Sequence, residues 1–220
     1  MKHLFASLLF LGTATLAFSG TFTNGSFESP GGAPIRNAFG CPDSSTVTGW
    51  LHDSAGCNGF EIYESSGADG INAADGTYYV SWGHLGSTGG TLQQTFDTVI
   101  GQAYNFTYEL TTQQSGCGLC DQSNNVAVFD ASNNLINSVN NTIVSNDGVW
   151  GFGAPLNFTA TSTSTTVIFT DTTVDSTNNW ALDAVSLNLG TASTTPEPAS
   201  FGFLAIGLLG IPAVKRLRAR

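Results

Sequence analysis

The strongest constraint on the fold is a two-residue alternation of side chains in the middle of the chain. Over Ala103–Leu110, every second residue is aromatic or leucine, and the residues between them are small or polar. A period of two places alternate side chains on opposite faces of a β-strand, whereas a helix repeats about every 3.6 residues. Phe60–Glu64 alternates in the same way over most of its length, and no helical period follows. The sequence therefore predicts an all-β body.

Further strand candidates are separated by turns rich in glycine, proline, asparagine and aspartate. They are Thr21–Glu28 with a turn at Asn24-Gly25, Trp50–His52, Tyr78–Trp82, Thr91–Phe96, Val126–Phe129, Leu135–Ile136, Trp150–Phe158, Thr165–Phe169 and Trp180–Leu187. In the last strand, one face should carry Leu182, Ala184 and Ser186, and the other Ala181, Asp183, Val185 and Leu187. About ten or eleven strands predict two packed antiparallel sheets.

Charge is distributed unevenly along the chain. Of six basic residues only Arg36 lies within residues 20–195, and of sixteen acidic residues only Glu197 lies outside that range. Phosphate neutralisation requires lysine or arginine, so we expect no nucleic-acid partner and no direct binding to an anionic membrane surface. An excess of carboxylates favours a divalent cation such as calcium, although simple solubility also explains surface acids.

The N-terminus has the parts of a secretory signal peptide. Lys2 supplies a positive start, an apolar stretch follows, and Ala17-Phe18-Ser19 fits a small-x-small cleavage site. We expect residues 1–19 to be a signal helix that is removed, residues 20–190 to be the β-sandwich, and residues 191–195 to be a linker.

The C-terminus combines a short motif, an uncharged stretch and a basic end. Pro196, Glu197 and Pro198 precede the uncharged residues Ala199–Val214, and the chain ends with Lys215, Arg216, Leu217, Arg218, Ala219 and Arg220. Sixteen helical residues span roughly 24 Å against a hydrocarbon core of about 30 Å, which is short for a permanent anchor. Basic residues favour the cytoplasmic side, so the body is expected outside the inner membrane.

This order of tripeptide, short hydrophobic helix and arginine-rich end resembles the PEP-CTERM tail of exported Gram-negative proteins, and it covers residues 196–220. The resemblance implies that a membrane protease-transpeptidase, an exosortase, recognises the tail and cuts it near Pro196-Glu197-Pro198. The body would then reach the cell surface or the extracellular matrix after a transient stay in the inner membrane through residues 199–214. An ordinary single-pass anchor is the alternative.

Several pieces of the body resemble the galactose-binding-domain-like superfamily, which includes many carbohydrate-binding modules and some cell-wall proteins. The matching pieces are Asn24–Glu28, Gly49-Trp50, Asp75–Val80, Leu92–Phe96, Gly101–Phe106, Asn157–Ala160 and Leu182–Leu187. Their order across most of residues 21–189 implies a two-sheet antiparallel jelly-roll sandwich, and it implies a glycan or exopolysaccharide ligand by analogy.

The same resemblance implies a structural calcium ion. In relatives, the glutamate after the first Asn-Gly and the aspartate of the last strand share the ion, and these positions are Glu28 and Asp183 here. Two carboxylates brought together also require a cation or a proton on physical grounds. The alternative is a solvated Glu28 and an Asp183 that caps a turn.

Four cysteines suit an oxidising environment, and they allow three pairings. Cys41–Cys57 and Cys117–Cys120 are the pairings between sequence neighbours. Cys117 and Cys120 could instead form a redox pair, and a zinc site with His52 or His84 is a further alternative.

Glycan binding requires an exposed aromatic face beside polar groups. Tyr63, Trp82, His84 and Trp180 are the candidates because each lies beside polar or glycine-rich sequence, whereas Trp50 and Trp150 are expected in the core. No Gly-x-Ser-x-Gly, His-Glu-x-x-His or phosphate-loop motif is present, so catalysis is not expected. The sequence favours a non-catalytic glycan binder, with a structural matrix protein or a glycan-active enzyme as alternatives.

Overall fold

The computed structural model describes residues 22–29, 47–52, 61–64, 71–82, 90–112, 122–143, 148–173 and 180–190, with only the backbone of residues 61–64 and 82. The chain divides into a compact unit over Met1–Gly190 and a second unit over Thr191–Arg220, which lies outside the described residues. No helix within the described ranges is long and apolar enough to span a bilayer.

The described residues form eleven strands. They are β1 (Leu51–His52), β2 (Glu61–Glu64), β3 (Tyr78–Trp82), β4 (Thr91–Asp97), β5 (Ala103–Thr112), β6 (Gln122–Asp130), β7 (Leu135–Ile143), β8 (Gly151–Phe152), β9 (Leu156–Thr159), β10 (Ser164–Asp171) and β11 (Trp180–Leu189).

The strands form two antiparallel sheets. The first sheet has the order β1-β4-β10-β6-β7, and the second has the order β2-β3-β11-β5-β8, with β9 also paired to β5. Strands distant in sequence are neighbours in both sheets, as the pairing of β10 between β4 and β6 shows. The predicted all-β, two-sheet antiparallel jelly roll is therefore confirmed.

The alternating residues of the sequence form the core between the sheets. Tyr104, Phe106 and Tyr108 of β5 are at most 1% exposed, and they meet Phe96 and Phe169 of the first sheet. Burying each such ring stabilises the fold by about 1.5–3 kcal/mol. The inward face of β4 consists of Leu92, Gln94 and Phe96, which are all buried.

The predicted strand over Thr21–Glu28 is wrong within the described residues 22–29, although its turn is confirmed. Asn24 has a φ of 54°, and its carbonyl accepts a hydrogen bond from the Phe27 amide at 3.2 Å. The Gln94 amide side chain pairs with both backbone groups of Thr23, at 2.8 and 2.9 Å. A side chain thus takes the place of a neighbouring strand.

The predicted faces of the last strand are wrong after Asp183. The register of β11 against β5 shifts between Asp183 and Ser186, and Ala184 has a φ of 50°. Leu182 faces the core before this bulge, whereas Val185 faces the core after it. The extra residue re-aims the strand, as bulges do.

Candidate functional site

The bulge in β11 places Asp183 at a junction with the segment Ala74–Tyr78. Asp183 is fully buried, and its Oδ2 accepts hydrogen bonds from the amides of Ala74 and Asp75 at 2.8 and 3.0 Å. Its Oδ1 accepts a third from the Ala184 amide at 2.7 Å. One carboxylate therefore holds a loop against the last strand.

Glu28 holds the same segment from the N-terminal side. Its Oε1 accepts hydrogen bonds from the amides of Thr77 and Tyr78, at 2.7 and 2.8 Å. Gly76 between the two contacts has a φ of 73°, and a Cβ there would overlap the Glu28 carboxyl group. The two carboxylates singled out in the sequence thus bind one five-residue segment from its two ends.

A third acid completes this carboxylate junction, which we define as Glu28, Asp75, Asp183 and the segment 74–78. Asp75 Oδ2 accepts a hydrogen bond from Ser26 Oγ at 2.6 Å. Burial raises the pKa of Asp183 from its ordinary 3.8 to about 7. The hydrogen bonds from the three amides lower this pKa, and the charge of Asp75 raises it, but burial has the largest effect. A buried carboxyl group without a basic partner requires a proton or a cation.

The residues of the junction fit a calcium ion only in part. No group of three or more histidine, cysteine, aspartate or glutamate side chains within the described residues is arranged to hold a metal. Carboxylate oxygens each have two lone pairs, and Glu28 Oε2 has no hydrogen bond among those of the described residues. Glu28 and Asp183 could hold calcium only with backbone carbonyls and water completing the shell.

Trp180 is buried between the sheets and does not offer a face to a sugar. It is 0% exposed, and its Nε1 donates a hydrogen bond to Asp171 Oδ1 at 3.1 Å. This burial contradicts the expectation that Trp180 stacks on a glycan, because β11 carries it into the core. Trp50 is buried as expected, while Trp150 is only half-buried and packs on Tyr79.

The other predicted positions are described only in part or not at all. The backbone of Tyr63 pairs with that of Tyr79, and the backbone of Trp82 pairs with that of Trp180. For Tyr63 and Trp82 the structure describes the backbone alone. His52 lies buried in β1. Predicted positions outside the described residues are His84, Cys41, Cys57, Cys117, Cys120, Pro196, Glu197, Pro198, Lys215, Arg216, Arg218 and Arg220.

Among the described residues, the outward side of the first sheet carries one charged residue, Asp97 at the end of β4. Asp97 and its partner Ser164 lie at the margin of this side, and its other fifteen outward residues, which we call the neutral face, are Leu51, Thr91, Gln93, Thr95, Ser123, Asn125, Ala127, Phe129, Leu135, Ser138, Asn140, Thr142, Thr166, Ile168 and Thr170. The acids of this sheet, Asp97, Asp130 and Asp171, are each the last residue of a strand.

The neutral face is ordered in rows across the strands. One row contains Thr91, Thr170, Asn125 and Asn140, and the next contains Leu51, Gln93, Ile168, Ala127 and Ser138. Hydroxyl groups within the face bond to each other, as Thr95 and Thr166 do at 2.8 Å. Five strands extend roughly 19 Å across, and Thr91 to Thr95 extends about 13 Å along the strand. The face is a regular array of hydroxyl, amide and apolar groups.

A second exposed feature lies where the edges of the two sheets meet. Phe152 of β8 is 82% exposed, the highest value among the large exposed hydrophobic residues described. A cavity of about 190 Å³ lies beside it, against Asn141–Ile143 of β7. Sequence reasoning missed Phe152 because it assigned Trp150–Phe158 to a strand; the flanking Gly151 and Gly153 were the available signal.

Comparison with solved structures shows the same fold in carbohydrate-binding modules. A structure of TmCBM61 in complex with β-1,4-galactotriose matches 77% of this chain and 97% of its own, with 14% identity and a TM-score of 0.51. The CBM22-1 xylan-binding domain of Paenibacillus barcinonensis Xyn10C matches 64% of this chain and 85% of its own, with 11% identity and a TM-score of 0.44. At these identities the likeness concerns the fold alone.

No curated protein matches the chain. A family model described as "Protein of unknown function (DUF642)" matches residues 20–188, which contain both sheets, the carboxylate junction and the neutral face. Because this match spans more than half of the sequence, the chain belongs to the DUF642 family.

Proposed function

We propose that this protein is a non-catalytic binder of neutral glycan and that the neutral face is its main contact surface. The observation that carries the proposal is that fifteen outward positions of the first sheet carry no charge, with Asp97 at the margin as the one acid on that side, in a body with one basic and fifteen acidic residues. Charged groups are expensive to dehydrate at a contact, whereas hydroxyl and amide groups exchange water for sugar hydroxyls.

The array also matches the two kinds of surface that a neutral polysaccharide presents. Sugar rings offer hydroxyl groups at their edges and C–H groups on their faces. The neutral face offers threonine, serine and asparagine beside Phe129, Leu135 and Ile168. Each hydrogen bond contributes only about 0.5–1.5 kcal/mol net, so affinity depends on many contacts at once. A face of this breadth could contact several sugar units at once.

The test is depletion of the full-length protein from solution by insoluble polysaccharides. The likeness to TmCBM61, solved with β-1,4-galactotriose, makes an insoluble β-1,4-galactan the first polymer to try, with cellulose second and calcium pectate as the acidic comparison. We expect retention on a neutral polymer that is unchanged between roughly 0.05 M and 0.5 M salt, because salt screens only charged contacts. Retention on the acidic polymer alone, or on none, would contradict the proposal and favour a structural matrix protein.

We also propose calcium as a structural cofactor at the carboxylate junction. The ion would neutralise Glu28 and Asp183, which bind the same segment, and so tie the N-terminal turn to the last strand. Calcium should raise the thermal midpoint of the protein and chelation should lower it, because a ligand that binds only the folded state stabilises it. An unchanged midpoint after chelation would leave a proton on Asp183 as the remaining explanation.

Export and sorting remain proposals that rest on the two chain ends. We propose removal of residues 1–19 and exosortase cleavage near Pro196-Glu197-Pro198, which would place the body at the cell surface or outside the cell. Mass spectrometry of the exported protein should find Gly20 as the first residue and no peptide beyond Pro198. Recovery of residues 199–220 intact would support the membrane-anchor alternative.

A further inference from the structure

The cavity beside Phe152, which we call the edge cleft, lies between the edge strands of the two sheets. Asn141, Thr142 and Ile143 of β7 line it from the first sheet, and Gly151–Gly153 line it from the second. It shares Thr142 with the neutral face but differs from it in its aromatic residue, which belongs to β8, and β8 pairs with β5 in the second sheet. The carboxylate junction contributes no lining residue to it.

The walls of the edge cleft are held by a closed set of hydrogen bonds. Asn141 donates through Nδ2 to Tyr108 Oη at 3.0 Å and accepts through Oδ1 from the Ala154 amide at 2.7 Å. Tyr108 Oη in turn donates to the Ala154 carbonyl at 2.8 Å. Burial raises the pKa of Tyr108 to about 12, so this hydroxyl keeps its proton at neutral pH. The cleft is preorganised, and ordering it costs little on binding.

Close packing fixes the strand that carries Phe152. The Gly153 amide donates a hydrogen bond to the Tyr108 carbonyl at 3.0 Å, and a Cβ at Gly153 would overlap the Tyr108 ring. Gly151 differs, because a Cβ there would meet no atom within 4 Å. The backbone on one side of Phe152 is thus tightly held, and the space on the other side is open.

The groups around the cleft match one neutral sugar ring. No charged side chain of the described residues lines the cavity, and Thr142 presents an exposed hydroxyl-bearing side chain. Glu109 lies opposite Phe152 in the pairing of β5 with β8, outside the lining of the cavity. The negative charge of Glu109 disfavours an acidic sugar. The volume of about 190 Å³ is below the roughly 300 Å³ of the smallest usual ligand sites, which suits one ring and not an oligosaccharide.

We propose that the edge cleft is a second saccharide site, which binds a terminal neutral hexopyranose of a glycan chain through stacking on Phe152. This inference rests on the proposed function, since it assigns the end of a glycan chain to the edge cleft and the rest of the polymer to the neutral face. Aromatic rings contribute to such contacts through their apolar faces. The protein would then bind the ends of glycan chains at the edge cleft and the sides of glycan chains at the neutral face.

The experiment is calorimetric titration of the full-length protein with β-1,4-galactotriose and cellotriose, with trigalacturonic acid as the acidic comparison. We expect saturable binding of a neutral trisaccharide and a loss of about tenfold in affinity for Phe152→Ala, which equals about 1.4 kcal/mol. Gly151→Val should also weaken binding, because it places a side chain in the open space beside Phe152. Ile100→Ala, which removes another exposed apolar side chain, is the matched control and should bind as the original protein does.

The outcomes separate this inference from the proposed function. Weaker trisaccharide binding by both edge variants, with unchanged retention on insoluble neutral polymer, supports both. Edge variants that bind the trisaccharide within twofold of the original protein overturn the edge cleft and leave the neutral face standing. Absence of any trisaccharide binding also overturns it. If Gly151→Val lowers the thermal midpoint, its weaker binding could come from lost stability, and the result for Phe152→Ala alone then tests the edge cleft.

Discussion

The outward sides of the two sheets differ in what covers them. On the second sheet, Tyr79, Ala181 and Asp183 face outward but are fully buried, because Ile71, Ala73, Trp150 and the segment 74–78 lie over them. On the first sheet, Thr95, Asn140 and Thr142 are exposed, and Thr166 and Ile168 are half-buried. Part of the outer side of the second sheet is thus covered by the chain itself, whereas the outer side of the first sheet is largely open.

The difference extends to the placement of charge. The covered side contains the buried carboxyl group of Asp183, held by three backbone amides, whereas the neutral face has no ionisable group. A buried acid stabilises a fold only while its bonds or its cation are present. The two sides should therefore respond differently to substitution, to pH and to calcium.

The largest effect is expected for Trp180→Ala, inside the sandwich. Removing a fully buried tryptophan leaves a cavity and deprives Asp171 of the indole donor, so the free energy of unfolding should fall by about 3–5 kcal/mol. Chemical denaturation measures it. Leu135→Ala, on the neutral face and 58% exposed, is the control and should change stability by less than about 0.5 kcal/mol. Equal effects would contradict the described core.

A smaller effect is expected at the carboxylate junction, with a clear ranking between its two acids. Asp183→Ala removes a fully buried acceptor from the amides of Ala74, Asp75 and Ala184 and should cost about 3 kcal/mol. Glu28→Ala exposes two amides to water at the surface, and it should cost under about 1 kcal/mol. The same denaturation measurement ranks the two variants. A larger loss of stability for Glu28→Ala than for Asp183→Ala would contradict the assignment of Asp183 as the main support of the segment 74–78.

The pH dependence of stability should show whether a proton or a calcium ion neutralises Asp183. In the chelated protein, the folded state holds a proton up to a pKa of about 7, while the unfolded chain releases it near 3.8. Stability from this group is therefore full below pH 3.8 and is lost as pH rises towards 7. Denaturation across this window with chelator should show the decline, and Asp183→Asn should flatten it. Saturating calcium should reverse the decline, because the ion favours the ionised carboxylate.

Much of the fold could be predicted from local pattern. The alternation over Ala103–Leu110 gave the central strand and its inward face, because two-residue periodicity survives in the structure. The bulge at Asp183 could not be predicted, because it requires Ala184 at a positive φ, which its sequence does not mark. Trp180 was correctly assigned to the last strand, but it was singled out for glycan stacking because polar sequence lies beside it, whereas the structure buries it between the sheets.

The site was harder to predict than the fold. Glu28 and Asp183 could be singled out because a resemblance linked them, and the structure shows each binding the segment 74–78. The neutral face could not be predicted, because its rows combine residues from β4, β6, β7 and β10. Sequence shows the alternate polar positions of each strand, but only the register shows that they form one surface without charge.

The most direct test of the neutral face compares one substitution on each sheet. Thr95→Glu adds a charge to the neutral face, and Thr159→Glu adds the same charge to an exposed position of β9 in the second sheet. In depletion by an insoluble neutral polysaccharide, Thr95→Glu should weaken retention about tenfold, because the carboxylate must be dehydrated at the contact. Thr159→Glu should bind as the original protein does. Equal retention of both variants would contradict the assignment of glycan binding to the first sheet.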